Sequence, residues 1–225
     1  MTSIDDAKRT AARAALAELP EAGVIGLGTG STTRFFIDAL GELVASGRHY
    51  TGVPTSEASR AQATALGIPL LGDEGPWDIA VTVDGADEVD DALNLIKGGG
   101  GAQTREKIVS YSSRRTIIIV DGTKLSKQLG EKWAVPIEVL AFAHRATAAH
   151  LAKHGTPKLR EKASVPVRTD AGNLIYDLHC GPIADPRALD RVLHEVPGVV
   201  ETGLFIGRAD LVLVASEDGV KRRAR

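Results

Sequence analysis

Apolar and polar positions along this chain follow two periods, and the switches between them mark the elements. Residues 5–19 are Ala-rich and contain only good helix formers until Pro20, and Ser3 followed by Asp6 resembles a capping box, so a helix is expected there. After Gly23 the apolar run 24–27 leads through a turn at 28–32 into an amphipathic segment at 34–45, with Phe35, Phe36, Ala39, Leu40 and Leu43 apolar. That order is strand, tight loop, helix. The rhythm continues with strands expected at 50–54, 68–71, 78–83 and 116–120 and helices at 56–66 and 103–112. Such alternation implies an α/β fold, a parallel sheet between layers of helices.

Past about residue 130 the pattern changes. The segment 165–180 reads as an antiparallel hairpin joined by Asp170, Ala171, Gly172 and Asn173, with a strand at 134–140 and helices at 145–154 and 187–196 around it. This predicts a small α+β unit inserted in the larger domain. Two late runs, 203–206 and 211–215, are expected to rejoin the main sheet. The resulting division is a main α/β domain over 1–130 and 206–225 and a small α+β domain over 131–205. No internal repeat interrupts it.

Composition narrows the function classes. With 27 basic against 29 acidic residues the formal net charge is -2, so the chain has no global positive field to hold a phosphate backbone, and nucleic acid is not an expected partner. Lys221, Arg222, Arg223 and Arg225 read as a solvated basic terminus. Cys180 is the only cysteine, which rules out an intrachain disulfide and leaves a cysteine-based zinc site without partners; core packing is its expected role. The first nine residues carry two acids and no apolar core, and no apolar run reaches the length of a membrane span. No membrane partner is expected, and the expected compartment is the cytoplasm.

Four clusters carry candidate chemistry. In the turn Gly28, Thr29, Gly30, Ser31, Thr32, glycines let the backbone bend and the next helix offers free N–H groups to a phosphate. A dinucleotide fingerprint wants Gly where Ser31 stands, a Walker loop wants Lys before its Ser or Thr, and the second strand ends at Val53, Pro54 and Thr55 without an acid for a ribose diol. A turn that merely connects strand and helix is the plainer reading. Asp84, Gly85, Ala86, Asp87 and Glu88 follow the apolar strand Ile79 to Val83 at its carboxyl end, although a solvated acidic turn is the simpler account, and the better one for Glu88, Asp90 and Asp91. These acids lack calcium-loop spacing and no His accompanies them; magnesium is conceivable, but a neighbouring lysine would serve the same electrostatic end, and no metal is expected. Lys97 precedes Gly98, Gly99, Gly100 and Gly101, a run whose entropic cost suits a backbone that must approach something closely rather than a linker. Glu106 falls in the first turn of the following helix, where alone it would be a helix-dipole acid; Lys8 and Lys124 alone would be surface lysines.

Taken in order, these clusters resemble the A-type ribose-5-phosphate isomerases. The resemblance runs on through Asp121, Gly122, Thr123 and Lys124, then Pro136, Ile137, Glu138 and Val139, then Pro197, Gly198, Val199 and Val200, to Gly203, Leu204 and Phe205. It implies a Rossmann-like parallel-sheet domain with a smaller inserted α+β domain of ferredoxin-like type, a pentose 5-phosphate as substrate, no cofactor, and a homodimer or larger homo-oligomer. It implies that Glu106 is the catalytic base and that Asp84, Asp87 and Lys97 surround the reacting carbons. Lys8, Ser31, Thr32 and Lys124 would hold the phosphate, and Gly28, Thr29, Gly30, Gly85, Ala86, Gly98, Gly99 and Gly100 would complete the substrate site. A non-catalytic sugar-phosphate sensor, a nicotinamide-dependent oxidoreductase and a metal-dependent hydride shift are the alternatives.

Overall fold

The computed structural model describes residues 4–216 and 219–225. Ser3, the expected helix cap, lies outside the described residues. The elements are, in chain order, α1 (Ile4–Leu16), β1 (Gly23–Leu27), α2 (Ser31–Ala45), β2 (Tyr50–Pro54), α3 (Glu57–Ala65), β3 (Ile79–Asp84), β4 (Glu88–Val89), β5 (Leu95–Ile96), α4 (Gln103–Tyr111) and β6 (Thr116–Asp121). They continue with β7 (Val135–Val139), α5 (His144–Leu151), β8 (Thr156–Leu159), β9 (Glu161–Lys162), β10 (Val165–Pro166), β11 (Leu174–His179), α6 (Pro186–His194), β12 (Val199–Thr202), β13 (Leu204–Phe205), β14 (Leu211–Ser216) and β15 (Gly219–Ala224).

Contacts group the chain into two units. The first, made of residues up to Ala86 with Arg105–Lys124 and Arg208–Arg225, holds a six-stranded sheet in the order β15-β14-β6-β3-β1-β2. Its pairs are parallel except for the edge strand β15. All six residues of β6 are buried, as a strand covered on both faces must be. Its Ile117 and Ile119 join Ile25, Leu27, Phe36 and Leu40 in the core under α1 and α2, each large side chain contributing about 1.5–3 kcal/mol by leaving water. A smaller cluster joins Val109 of α4 to Val53 and Ile79.

The second unit, Asp87–Thr104 with Leu125–Gly207, holds a four-stranded antiparallel sheet β12-β7-β11-β8 and a three-stranded sheet β13-β5-β4. Val135, Ile137 and Val139 of β7 bury against Leu174, Tyr176 and Leu178 of β11 and against Leu151 and Leu193 from α5 and α6. The segment 87–104 groups here, since β4 and β5 pair with each other and with β13.

Several expectations need correction. The strand at 68–71 reduces to one bridge between Gly52 and Leu70. The hairpin at 165–180 does not form: β11 pairs with β7 and β8, β10 pairs with β9, and one bridge, Arg168 to Leu174, spans the turn. The reason is burial, because β11 carries the apolar face and Val165 is 64% exposed. Gly203 to Ile206 does not rejoin the main sheet, since β13 pairs with β5, whereas β14 joins it beside β6. The basic terminus is not a loose tail but the edge strand β15, with Val220 packed against the core and Arg222 paired with Glu18. Glu88 and Asp90 are buried rather than solvated: Glu88 accepts from the amides of Gly130, Lys132 and Trp133, and Asp90 caps Asn94.

Candidate active site

In the first unit three loops leave the carboxyl ends of neighbouring strands: Gly28 to Gly30 after β1, Gly85 and Ala86 after β3, and the 3-10 turn Gly122–Lys124 after β6. That edge of an open parallel sheet is where ligands bind, because loops converge there and helices begin with unsatisfied N–H groups. Residue 28 has to be glycine, since a Cβ would stand 2.2 Å from Asp84 Oδ1. The close approach lets Asp84, 2% exposed, accept from Thr29 N at 3.1 Å and Gly85 N at 2.7 Å through that same oxygen. One carboxylate thereby joins the β1 turn to the β3 turn. Gly30 precedes α2 without a side-chain cap, and Ser31 and Thr32 stand in the first turn of that helix. A cleft of about 560 Å³ opens on Gly28, Thr29, Gly30 and Ser31, with Arg34 and Gln62 also in its lining.

Glu106 lies in the first turn of α4 and is 4% exposed. Its neighbour Arg105 fixes that turn, donating from Nη1 to Glu57 Oε1 at 2.7 Å, and Glu57 opens α3 just after the carboxyl end of β2. The start of α4 therefore sits at the ligand-binding end of the sheet. A buried carboxylate there can take and return a proton shielded from bulk water. Lys124 ends a turn held by Asp121, whose Oδ1 accepts from Thr123 N at 2.9 Å and from Thr123 Oγ1. Lys8 projects from α1, which packs against α2, with its ammonium 3.7 Å from Asp5.

In the second unit Asp87 Oδ2 accepts from Gly99 N at 2.7 Å, and a Cβ on residue 99 would stand 2.6 Å from Asp87 Oδ1. Lys97 is 3% exposed, donates its backbone N–H to Gly203 O at 2.9 Å, and holds its ammonium 5.4 Å from the centroid of the Phe205 ring. The quadrupole of that ring offsets part of the cost of burying the cation. Gly98 is buried while Gly99 and Gly100 are exposed. Asp87, Lys97 and the glycine turn thus belong to one unit, and Asp84, Glu106, the 28–32 turn, Lys8 and Lys124 to the other.

Sequence reasoning missed what supports these groups. Arg160 donates to Gly98 O at 2.7 Å and Gly99 O at 3.2 Å while its guanidinium grips Asp177 in a two-point pair, and its distance along the chain from residue 98 left no local signal. Glu138, 1% exposed, accepts from Thr104 Oγ1, from Thr169 Oγ1 at 2.9 Å and from Asn173 Nδ2 at 2.8 Å. Thr55, Ser56 and Ser59, at the end of β2 and start of α3, are buried against the 28–29 turn. Their signal was a run of small hydroxyls where a strand meets a helix.

Other titratable groups have structural explanations. Cys180 lies just beyond β11, half-buried on the second unit's core, and burial pushes its thiol pKa up, which suppresses the thiolate. Asp190, His194 and Glu201 lie close enough together to ligate a metal, yet His194 Nδ1 is 2.8 Å from Asp190 O and Nε2 is 2.7 Å from Glu201 Oε1, so both ring nitrogens are engaged. Among the described residues no helix is long and apolar enough to cross a membrane.

Comparison with known proteins places this geometry in a family context. The family model described as ribose 5-phosphate isomerase A (phosphoriboisomerase A) matches residues 51–219. A ribose-5-phosphate isomerase A from Chloroflexus aurantiacus is 48% identical over 224 residues, covering 98% of this chain and 94% of that protein. A solved D-ribose-5-phosphate isomerase in complex with phospho-erythronic acid superposes with a TM-score of 0.96 at 42% identity, covering 99% of this chain and 100% of that one. The Methanocaldococcus jannaschii ribose 5-phosphate isomerase A gives a TM-score of 0.94 at 38% identity, covering 99% and 100%.

Proposed function

We infer the chemistry from one premise: the chain belongs to the ribose 5-phosphate isomerase A family. It is an aldose–ketose isomerase that interconverts ribose 5-phosphate and ribulose 5-phosphate. The observation that carries the assignment of its base is the burial of Glu106 in the first turn of α4, at the carboxyl end of the parallel sheet. With the sugar ring open, Glu106 removes the proton from C2, the C1 carbonyl becomes an enediolate oxygen, and the proton returns to C1 while a hydroxyl proton passes from O2 to O1. Nothing else is consumed. A positioned base of this kind contributes about 10²- to 10⁴-fold.

Lys97 and loop amides stabilise the developing oxyanion, at about 3 kcal/mol per well-placed donor. Asp84 or Asp87 assists ring opening. Ser31, Thr32, Lys8 and Lys124 hold the phosphate, whose binding energy fixes the reacting carbons; Gly28, Thr29, Gly30, Gly85, Ala86, Gly98, Gly99 and Gly100 bring backbone to the sugar. The reading includes a homodimer or larger assembly in the cytoplasm, acting in the non-oxidative pentose phosphate pathway, with 1–130 and 206–225 as catalytic domain and 131–205 serving subunit contacts.

The test is a ketose assay on ribose 5-phosphate with and without thorough chelation. Ketose formation that survives chelation is expected for proton transfer by a carboxylate. Binding without product would mark a sensor, and loss restored by added metal would replace proton transfer with a metal-dependent route.

A further inference from the structure

The 28–29 turn is fastened on a second side, away from Asp84, by hydroxyls that take no part in the mechanism above. Thr29 Oγ1 donates to Ser56 Oγ at 2.8 Å, Ser56 Oγ donates to Ser59 Oγ at 3.1 Å, and Ser59 Oγ donates to Gly28 O at 2.7 Å. Each hydroxyl has a single proton to give, and here the protons run in one direction around a circuit that leaves the turn at residue 29 and re-enters it at residue 28. Thr55 Oγ1 stands 2.7 Å from Thr29 Oγ1 and has one proton to give, either to that oxygen or to Leu27 O at 3.0 Å, at the end of β1. Thr55, Ser56 and Ser59 are at most 5% exposed. Ser56 additionally caps α3 through Ser59 N, so the circuit is built into the first turn of a helix and cannot drift independently of it.

We propose that Ser59, with Ser56 and Thr55, is a positioning residue for the phosphate: the hydroxyl circuit sets the Gly28–Thr29 backbone and hence the angle at which Gly30, Ser31 and the first-turn amides of α2 meet the anion. This rests on the reading that the turn after β1 holds the substrate phosphate. Ser59 is the informative member, because its side chain alone carries the bond back to a backbone carbonyl of the turn. Removing that hydroxyl leaves the Gly28 carbonyl without its donor and Ser56 without its acceptor. The effect falls on phosphate binding more than on proton transfer, since Glu106 is held by α4 and Arg105.

The experiment is steady-state kinetics of Ser59→Ala with ribose 5-phosphate, together with competitive inhibition by inorganic phosphate. Loss of a buried hydrogen bond worth about 1 kcal/mol predicts that KM and the phosphate inhibition constant rise together by about five- to tenfold while kcat falls less than about threefold. Ser59→Thr, which keeps the hydroxyl, brings both constants back towards the parental values. Unchanged constants in Ser59→Ala, or a fall in kcat with KM and the phosphate constant unmoved, would overturn the proposal. If Ser59→Ala does not fold, Thr55→Val removes one hydroxyl from the same circuit at nearly constant volume, and the same split between KM and kcat decides. An unmodified enzyme that inorganic phosphate fails to inhibit competitively would instead sink the phosphate assignment of the turn itself.

Discussion

Glycine at 28 and glutamate at 138 show how single residues set the tolerance of the fold. Gly28→Ala forces a methyl to 2.2 Å from Asp84 Oδ1, so either the turn or the aspartate must move; isomerase activity should fall at least tenfold with a drop in melting temperature, and a parental rate would refute the steric argument. Glu138 satisfies three donors from an interior position, and Glu138→Ala, which strands Thr104, Thr169 and Asn173, should cost about 3 kcal/mol or more in a urea titration. Gln103 is the opposite case. Its amide is fully buried, and among the described residues neither its oxygen nor its nitrogen has a hydrogen-bond partner, so Gln103→Leu should stabilise the protein by about 1–3 kcal/mol.

Elements are joined by pairs whose charge depends on pH. His194, near the end of α6, has its pKa raised above 6.5, first by its hydrogen bond to Glu201 beside it on β12 and then by Asp190. A raised folded value means the pair stabilises fully below pH 6.5 and fades as pH rises through the folded pKa. The difference in melting temperature between the parent and His194→Gln should therefore be larger at pH 6 than at pH 9; a constant difference would contradict the pairing. At this scale the sequence was legible wherever apolar period and burial agree: β1, β2, β3, β6 and α1 to α4 lie within a few residues of the pattern. It misled where a strand is short or its partner distant. Nothing near Val165 shows that β11 would choose β7, and the basic composition of β15 hides an edge strand whose outward face is free to be charged.

Across the whole molecule, the motifs at 28–32, 84–88, 97–101, 104–107 and 121–124 were readable because each lies at a strand end or helix start, where backbone geometry restricts residue type. The supporting groups, Arg160, Glu138 and the Thr55 to Ser59 hydroxyls, were not, because long-range partners leave no local spacing. Long-range closure also governs acid stability in the first unit. Glu18, just beyond α1, has its pKa lowered by Arg222 of β15 and then by Arg115, so its contribution is present above pH 4.5 and is lost as pH falls through the depressed value. Glu18→Gln should lower the melting temperature at pH 7, and its difference from the parent should shrink as pH falls below 4.5. If one buried carboxylate carries the proton between C2 and C1 as proposed, the turnover number of Glu106→Gln at saturating ribose 5-phosphate should fall about 10²-fold or more with KM within a few-fold of the parent; turnover at the parental rate would refute proton transfer by Glu106.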